Sequence, residues 1–73
     1  MDITTYRTGH AKLTLEDFAA AIGLKSKGQM SEIERSNKCS VAVALAIEAH
    51  SKGLVDAAGL NSDVAAVRQS VAA

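Results

Sequence analysis

Residues 14–36 read Thr14-Leu15-Glu16-Asp17-Phe18-Ala19-Ala20-Ala21-Ile22-Gly23-Leu24-Lys25-Ser26-Lys27-Gly28-Gln29-Met30-Ser31-Glu32-Ile33-Glu34-Arg35-Ser36, and this stretch decides the fold. Thr14 has the side chain of an N-cap, and Glu16 and Asp17 follow in the first turn, where the helix dipole favours acids. Leu15, Phe18, Ala19 and Ile22 then recur on one helical face. Gly23 stands where a left-handed residue ends a helix, a conformation glycine adopts without Cβ strain. A second cap, Ser26, opens a helix over residues 27–36 whose apolar residues are only Met30 and Ile33. The pattern predicts two helices joined by a glycine-containing turn, the second with a narrow apolar stripe and a polar outer side.

Outward from this pair the same signals continue. Upstream, Asp2 caps a short first helix with an Ile3–Tyr6 pair and a stop at Gly9, linked through residues 10–13 to the next. Downstream, Asn37 and Lys38 make a polar connection, and Ser40 caps an apolar run over residues 41–52 closed by Gly53. At about 100° per residue Val41, Ala44 and Leu45 lie on one side and Val43 and Ile47 nearly opposite, so this helix is expected to be buried on two faces. Leu54, Val55 and Leu60 are expected to close the core, and Asp56 to cap a single turn that Gly59 weakens. The tail, residues 61–73, carries Val64, Val67 and Val71 at helical spacing; a helix so short needs something to pack on.

A chain of 73 residues has room for one small core. Hydrophobic residues make up 48%, yet Tyr6 and Phe18 are the only aromatics, so that core is aliphatic and thin. With no proline, and with Ala, Leu, Ile, Glu and Lys between spaced glycines, the expected fold is all-α, a bundle of four to five helices in a single domain over residues 1–73. Eight basic residues balance eight acidic ones, which removes any bulk electrostatic argument for a polyanionic partner. The lone Cys39 forms no internal disulfide, and His10 and His50 are too few for a zinc site, so neither metal nor cofactor is expected. No signal-peptide pattern opens the chain and no apolar run approaches the roughly 20 residues of a membrane helix, which predicts a cytoplasmic protein without a membrane partner. Nucleophile, base and orienting acid fall into no recognisable arrangement, and a core this small builds no large pocket. An enzyme and a small-molecule ligand are therefore not expected.

The central pair of helices is the helix-turn-helix arrangement. Residues 13–36, with Ala19, Gly23 and the triplet Ile33-Glu34-Arg35, resemble the phage Cro and repressor type of helix-turn-helix regulators. More loosely, the resemblance reaches residue 60 and implies a lambda-repressor-like fold. Three departures stand out: Lys25 lengthens the turn by one residue, Leu15 stands where the family often has a phosphate-bonding glutamine, and Ser36 replaces a glycine. The resemblance implies that helix 27–36 enters the major groove of double-stranded operator DNA, with Lys27, Gly28, Gln29, Ser31 and Glu32 nearest the base edges. Gln29 would then make the paired amide contact with adenine, Lys27 would donate to guanine or phosphate, and Glu32 would accept from cytosine or repel wrong registers. Lys12, Thr14, Lys25, Ser26, Asn37, Lys38 and Ser40 would contact phosphates.

Local charge agrees with that placement, because residues 23–40 hold Lys25, Lys27, Arg35 and Lys38 against Glu32 and Glu34. One such helix reads few base pairs, so a homodimer on a palindromic site is expected, with Val43, Ile47, Val64, Val67 and Val71 as its contact and residues 61–73 as a dimerisation helix or tail. The alternative is a protein-interaction module, an antitoxin, antirepressor or inhibitor, for which the acids Glu32 and Glu34 speak. Plainer roles are read for the rest: Glu34 and Arg35 as ion-pair partners of Glu16, Asp17 or a neighbour, His10 and His50 as solvated surface residues, and Cys39 as a small filler. Lys52 complements a helix C-terminus.

Overall fold

Every α-helix begins at a capping side chain. In this computed structural model, which describes residues 1–72 and side chains through residue 70, α1 spans Ile3–Thr5 and the Asp2 carboxylate accepts from the Thr5 N–H at 2.8 Å. Thr14 Oγ1 accepts from Asp17 N–H at 3.1 Å to open α2, Leu15–Ala21. Ser26 opens α3, Lys27–Ser36, through Gln29 N–H at 3.4 Å, and Ser40 opens α4, Val41–His50, through Val43 N–H at 3.3 Å. Asn61 Oδ1 accepts from Asp63 N–H at 2.8 Å at the head of α5, Ser62–Ala72. Each such bond satisfies an orphan amide and contributes about 1 kcal/mol. The chain is all-helical, with no strand among the described residues, and no helix there is long and apolar enough to cross a membrane.

The turn between α2 and α3 follows from Gly23. With φ at +84° it lets Leu24 N–H reach Ala19 O at 2.8 Å and its own N–H reach Ala20 O at 3.2 Å, the paired bonds of a Schellman stop. Leu24 is thereby folded back, half-buried, against the core. The same device ends α4 two residues before the expected end at residue 52. Lys52 takes the left-handed position (φ +54°), Gly53 follows at +87°, and the α4 helix stops at His50.

Phe18, Ile3, Met30 and Ile47 are fully enclosed, with Val55, Ala44, Ala57, Leu60 and Val64 around them. Complete burial of one such large side chain is a stabilisation of about 1.5–3 kcal/mol. Among the described residues Ser51 is the one buried polar residue of this core; it donates to Glu48 O at 3.1 Å and accepts from Val55 N–H at 3.0 Å, turning the chain after α4. A 3₁₀ turn, Ala57–Gly59, is capped by Asp56 as expected.

Several expectations change. Gly9 does not stop the first helix: after Thr5 the chain widens into a π-helix over Tyr6–Ala11, which ends at Lys12 in the left-handed region. Two consecutive side chains are anchored there, Tyr6 to His50 and Arg7 to Glu34, and the wider turn accompanies both anchors. The α4 helix buries Ala44 and Ile47 and half-buries Val43, while Val41 and Leu45 stay 40% and 44% exposed, so one face is covered and not two. Leu54 is likewise exposed, because the turn after Lys52 and Gly53 sends Val55 inward in its place. Of the residues read as contacts between copies, Ile47 is fully enclosed by the chain's own core and Val64 is 7% exposed; Val43 is half-buried, Val67 is open, and Val71 lies outside the described side chains. His50 is no solvated surface residue: its ring lies edge-on to Phe18 at 5.1 Å between centroids and its Nδ1 is 2.9 Å from the Tyr6 hydroxyl. His10 is exposed and stacks on Tyr6.

Candidate nucleic-acid interface

The α3 helix is held from within and from one flank. Met30 is fully buried and Ile33 half-buried, which sets the inner face. On the flank, Glu34 is gripped by the N-terminal segment: Arg7 Nε donates to Oε2 at 2.7 Å, Arg7 Nη2 donates to Oε1 at 3.2 Å, and the Thr4 hydroxyl donates to Oε1 at 2.7 Å. The remaining Arg7 nitrogen donates to Leu13 O at 3.0 Å. With side chains only 14% and 9% exposed, Arg7 and Glu34 form a fork-to-fork pair largely shielded from water. Sequence reasoning missed this partner because 27 residues separate the two and no local spacing links them.

What remains of α3 faces solvent. Lys27, Gly28, Gln29, Ser31 and Glu32, the residues read as nearest to bases, are all exposed. Gly28, Gln29 and Glu32 border a cleft of about 540 Å³ whose floor is Leu24, Ile33, Cys39 and Val43 and whose far side carries Ser40. Arg35 pairs with Glu32 one turn earlier, a neighbour as expected, so that pair contributes no net charge. Gly28 needs no special backbone: it is helical, and a Cβ there would meet only Ser26 Oγ, at 3.7 Å.

Gln29 does more than its position suggested. Its Oε1 accepts from Lys25 N–H at 2.9 Å while Ser26 Oγ accepts from its own N–H. Together they form a variant of the capping box, and the Ser-x-x-Gln spacing of Ser26 and Gln29 was the signal that identifies it.

The residues read as phosphate contacts fall into groups. Lys25, Ser26 and Lys27 border one hollow of about 380 Å³ with Glu16 and Leu24. Asn37, left-handed at φ +55° at the end of α3, and Lys38 border another beside Leu60 and Asn61. The latter side is fixed by Cys39 N–H donating to Leu60 O at 3.2 Å and Asn61 Nδ2 donating to Cys39 O at 2.8 Å. Thr14, Ser26 and Ser40 accept capping bonds, which leaves each hydroxyl proton available to an outside acceptor. Lys12 and Thr14 sit before α2, and the Thr14 side chain is bonded within α2 itself, to Asp17 N–H. The ion pairs among the described residues all use arginine, so Lys25, Lys27 and Lys38 stand beside α3 without acidic partners. Burial raises the Cys39 thiol above its ordinary value, which suits the small filler read from sequence.

A second surface lies between α4 and α5. Val41 and Leu45 of α4 and Val64 and Val67 of α5 line an apolar groove of about 230 Å³, with Asp63 and Arg68 at its edge. Comparison with protein-family models, curated proteins and solved structures gave no match to this chain.

Proposed function

We propose that the protein is a sequence-specific DNA-binding regulator of transcription, a repressor from a phage or other mobile element, in which α2 and α3 act as a helix-turn-helix. The observation that carries this reading is α3 itself. One side is fixed by Met30 and the Arg7–Glu34 pair, and the other presents Lys27, Gln29, Ser31 and Glu32 to solvent beside lysines without acidic partners. A rigid helix with a polar row and flanking cations is what major-groove reading requires. The lysines would hold phosphates and the polar row would face base edges.

Selectivity then calls for two copies about 34 Å apart on one face of the duplex. Of the residues read as their contact, Val67 is 62% exposed, and Val41 and Leu45 join it as the apolar surface open to a second copy. The test is selection of bound duplexes from a randomised pool at moderate salt. A two-fold symmetric site is the expected result, and no enrichment even at low salt would reassign the α3 surface to a protein partner.

A further inference from the structure

We infer that Glu32 sets sequence specificity by repulsion, holding down the affinity of α3 for DNA at large, an inference that rests on the DNA-binding reading above. The two acids of α3 are treated unequally. Glu34 is withdrawn to the flank, its side chain 9% exposed and gripped by Arg7 and Thr4. Glu32 is left in the open, its side chain 64% exposed, on the solvent side of the helix with Lys27, Gln29 and Ser31. Stability does not call for it there. Met30, Ile33 and the Arg7–Glu34 pair already fix the helix. The bond between Glu32 and Arg35 joins two exposed side chains three residues apart, and such pairs add little to a fold.

What Glu32 does alter is the charge that a duplex meets. Lys25, Lys27, Arg35 and Lys38 are exposed on and beside α3, and Glu32 lies between Lys27 and Arg35 along the helix. Arg35 keeps N–H donors to spare and Glu32 keeps acceptor sites, so neither side chain is closed to a ligand. Their charges nonetheless offset each other, and sequence-independent attraction to phosphates follows charge. Arg35 is thereby cancelled as a general phosphate anchor, and the lysines are left to supply that attraction. At a matching site a base-edge donor, such as the cytosine amino group, faces the carboxylate and lifts the cost of its charge. Elsewhere the carboxylate meets base acceptors or phosphates, which repel it, so the penalty falls on the wrong sequences.

Binding titrations across a range of salt test this, using the duplex recovered by selection and a scrambled duplex of the same length. Glu32→Gln removes the charge and keeps the size. It should bind the scrambled duplex about 5- to 10-fold tighter at 0.1 M salt for each copy bound, with a slope of log affinity against log salt steeper by about 0.9 per copy. On the selected duplex the gain should be smaller, so the ratio between the two falls. Glu32→Asp, which keeps the charge, should keep the wild-type slope. Adding Arg35→Ala to Glu32→Gln should restore that slope, because the charge set free is that of Arg35. An unchanged slope in Glu32→Gln, an equal gain on both duplexes, or a slope that stays steep without Arg35 would overturn the inference while leaving DNA binding intact. So would weaker binding of Glu32→Gln to the selected duplex alone, the mark of an attractive base contact. A wild-type protein that enriches no duplex would remove the DNA reading and this inference together.

Discussion

Gly28 is a costly residue to place inside a helix, since glycine is less stable there than alanine by about 0.5–1 kcal/mol. Nothing within the molecule calls for it, because a Cβ would find ordinary contact with Ser26 Oγ at 3.7 Å. Gly28→Ala should therefore raise the melting temperature by about 2–8 °C and at the same time weaken DNA binding, if close approach to the duplex is what glycine is there for. Calorimetry and a gel-shift titration on one preparation decide it; a variant that is both more stable and equally tight removes Gly28 from the interface. Glu34 makes the opposite case. Its replacement by glutamine leaves Arg7, 14% exposed, without its charge partner, at a cost of about 2 kcal/mol or a melting temperature lower by about 8–16 °C. Replacing Arg7 and Glu34 together by methionine and leucine should recover most of that loss, as thermal melts of the two variants would show. The capping residues were legible because Thr14, Ser26 and Ser40 act on amides three positions away. Arg7 and His50 were not, because their partners are chosen by the fold and lie 27 and 44 residues distant.

The α5 helix buries little side-chain surface. Val64 is its buried residue, Ala65 is partly covered, and residues 66–70 are exposed. The rest of its hold is electrostatic: Arg68 donates to Glu48 Oε1 at 2.6 Å, to Glu48 Oε2 at 2.7 Å and to Asp56 Oδ1 at 2.9 Å. Glu48 also accepts from Ala57 N–H at 2.9 Å. The hydrogen bonds from Arg68, then that from Ala57, lower the Glu48 carboxyl from its ordinary 4.5 to about 2. A lowered carboxyl stabilises the fold above its unfolded value, and that contribution is lost as pH falls from 4.5 towards 2. Amides of α5 should accordingly lose exchange protection across that range before those of α2 and α3, and Glu48→Gln should show the loosened α5 already at neutral pH. A valine stripe at 64, 67 and 71 told that something was needed to hold this helix; that an arginine on its edge would do so depended on where Glu48 and Asp56 come to rest.

For the molecule as a whole, extents of 38 × 21 × 18 Å describe an elongated body. The all-helical architecture was readable because caps, glycines and apolar spacing agree along the chain. Which face of α4 stays open was not, since its residues are apolar nearly all round and periodicity gives no preference. If Val67, Val41 and Leu45 join two copies, Val67→Asp should give a monomer in light scattering with unchanged helicity; a dimer that survives would place the contact elsewhere. Under the proposed DNA-binding reading, two copies would also set the response to salt. Lys12, Lys25, Lys27 and Lys38 from each copy allow a slope of log affinity against log salt of about −7 at most. A steeper slope would mean phosphate contacts beyond these lysines. The two anchors of the N-terminal segment have a temporal consequence. Tyr6 meets its partner 44 residues downstream, and Arg7 meets Glu34 27 residues downstream. During synthesis this segment is made before its partners, and its docking site is incomplete until His50 has been added. A segment made ahead of its partners is among the last to find its place.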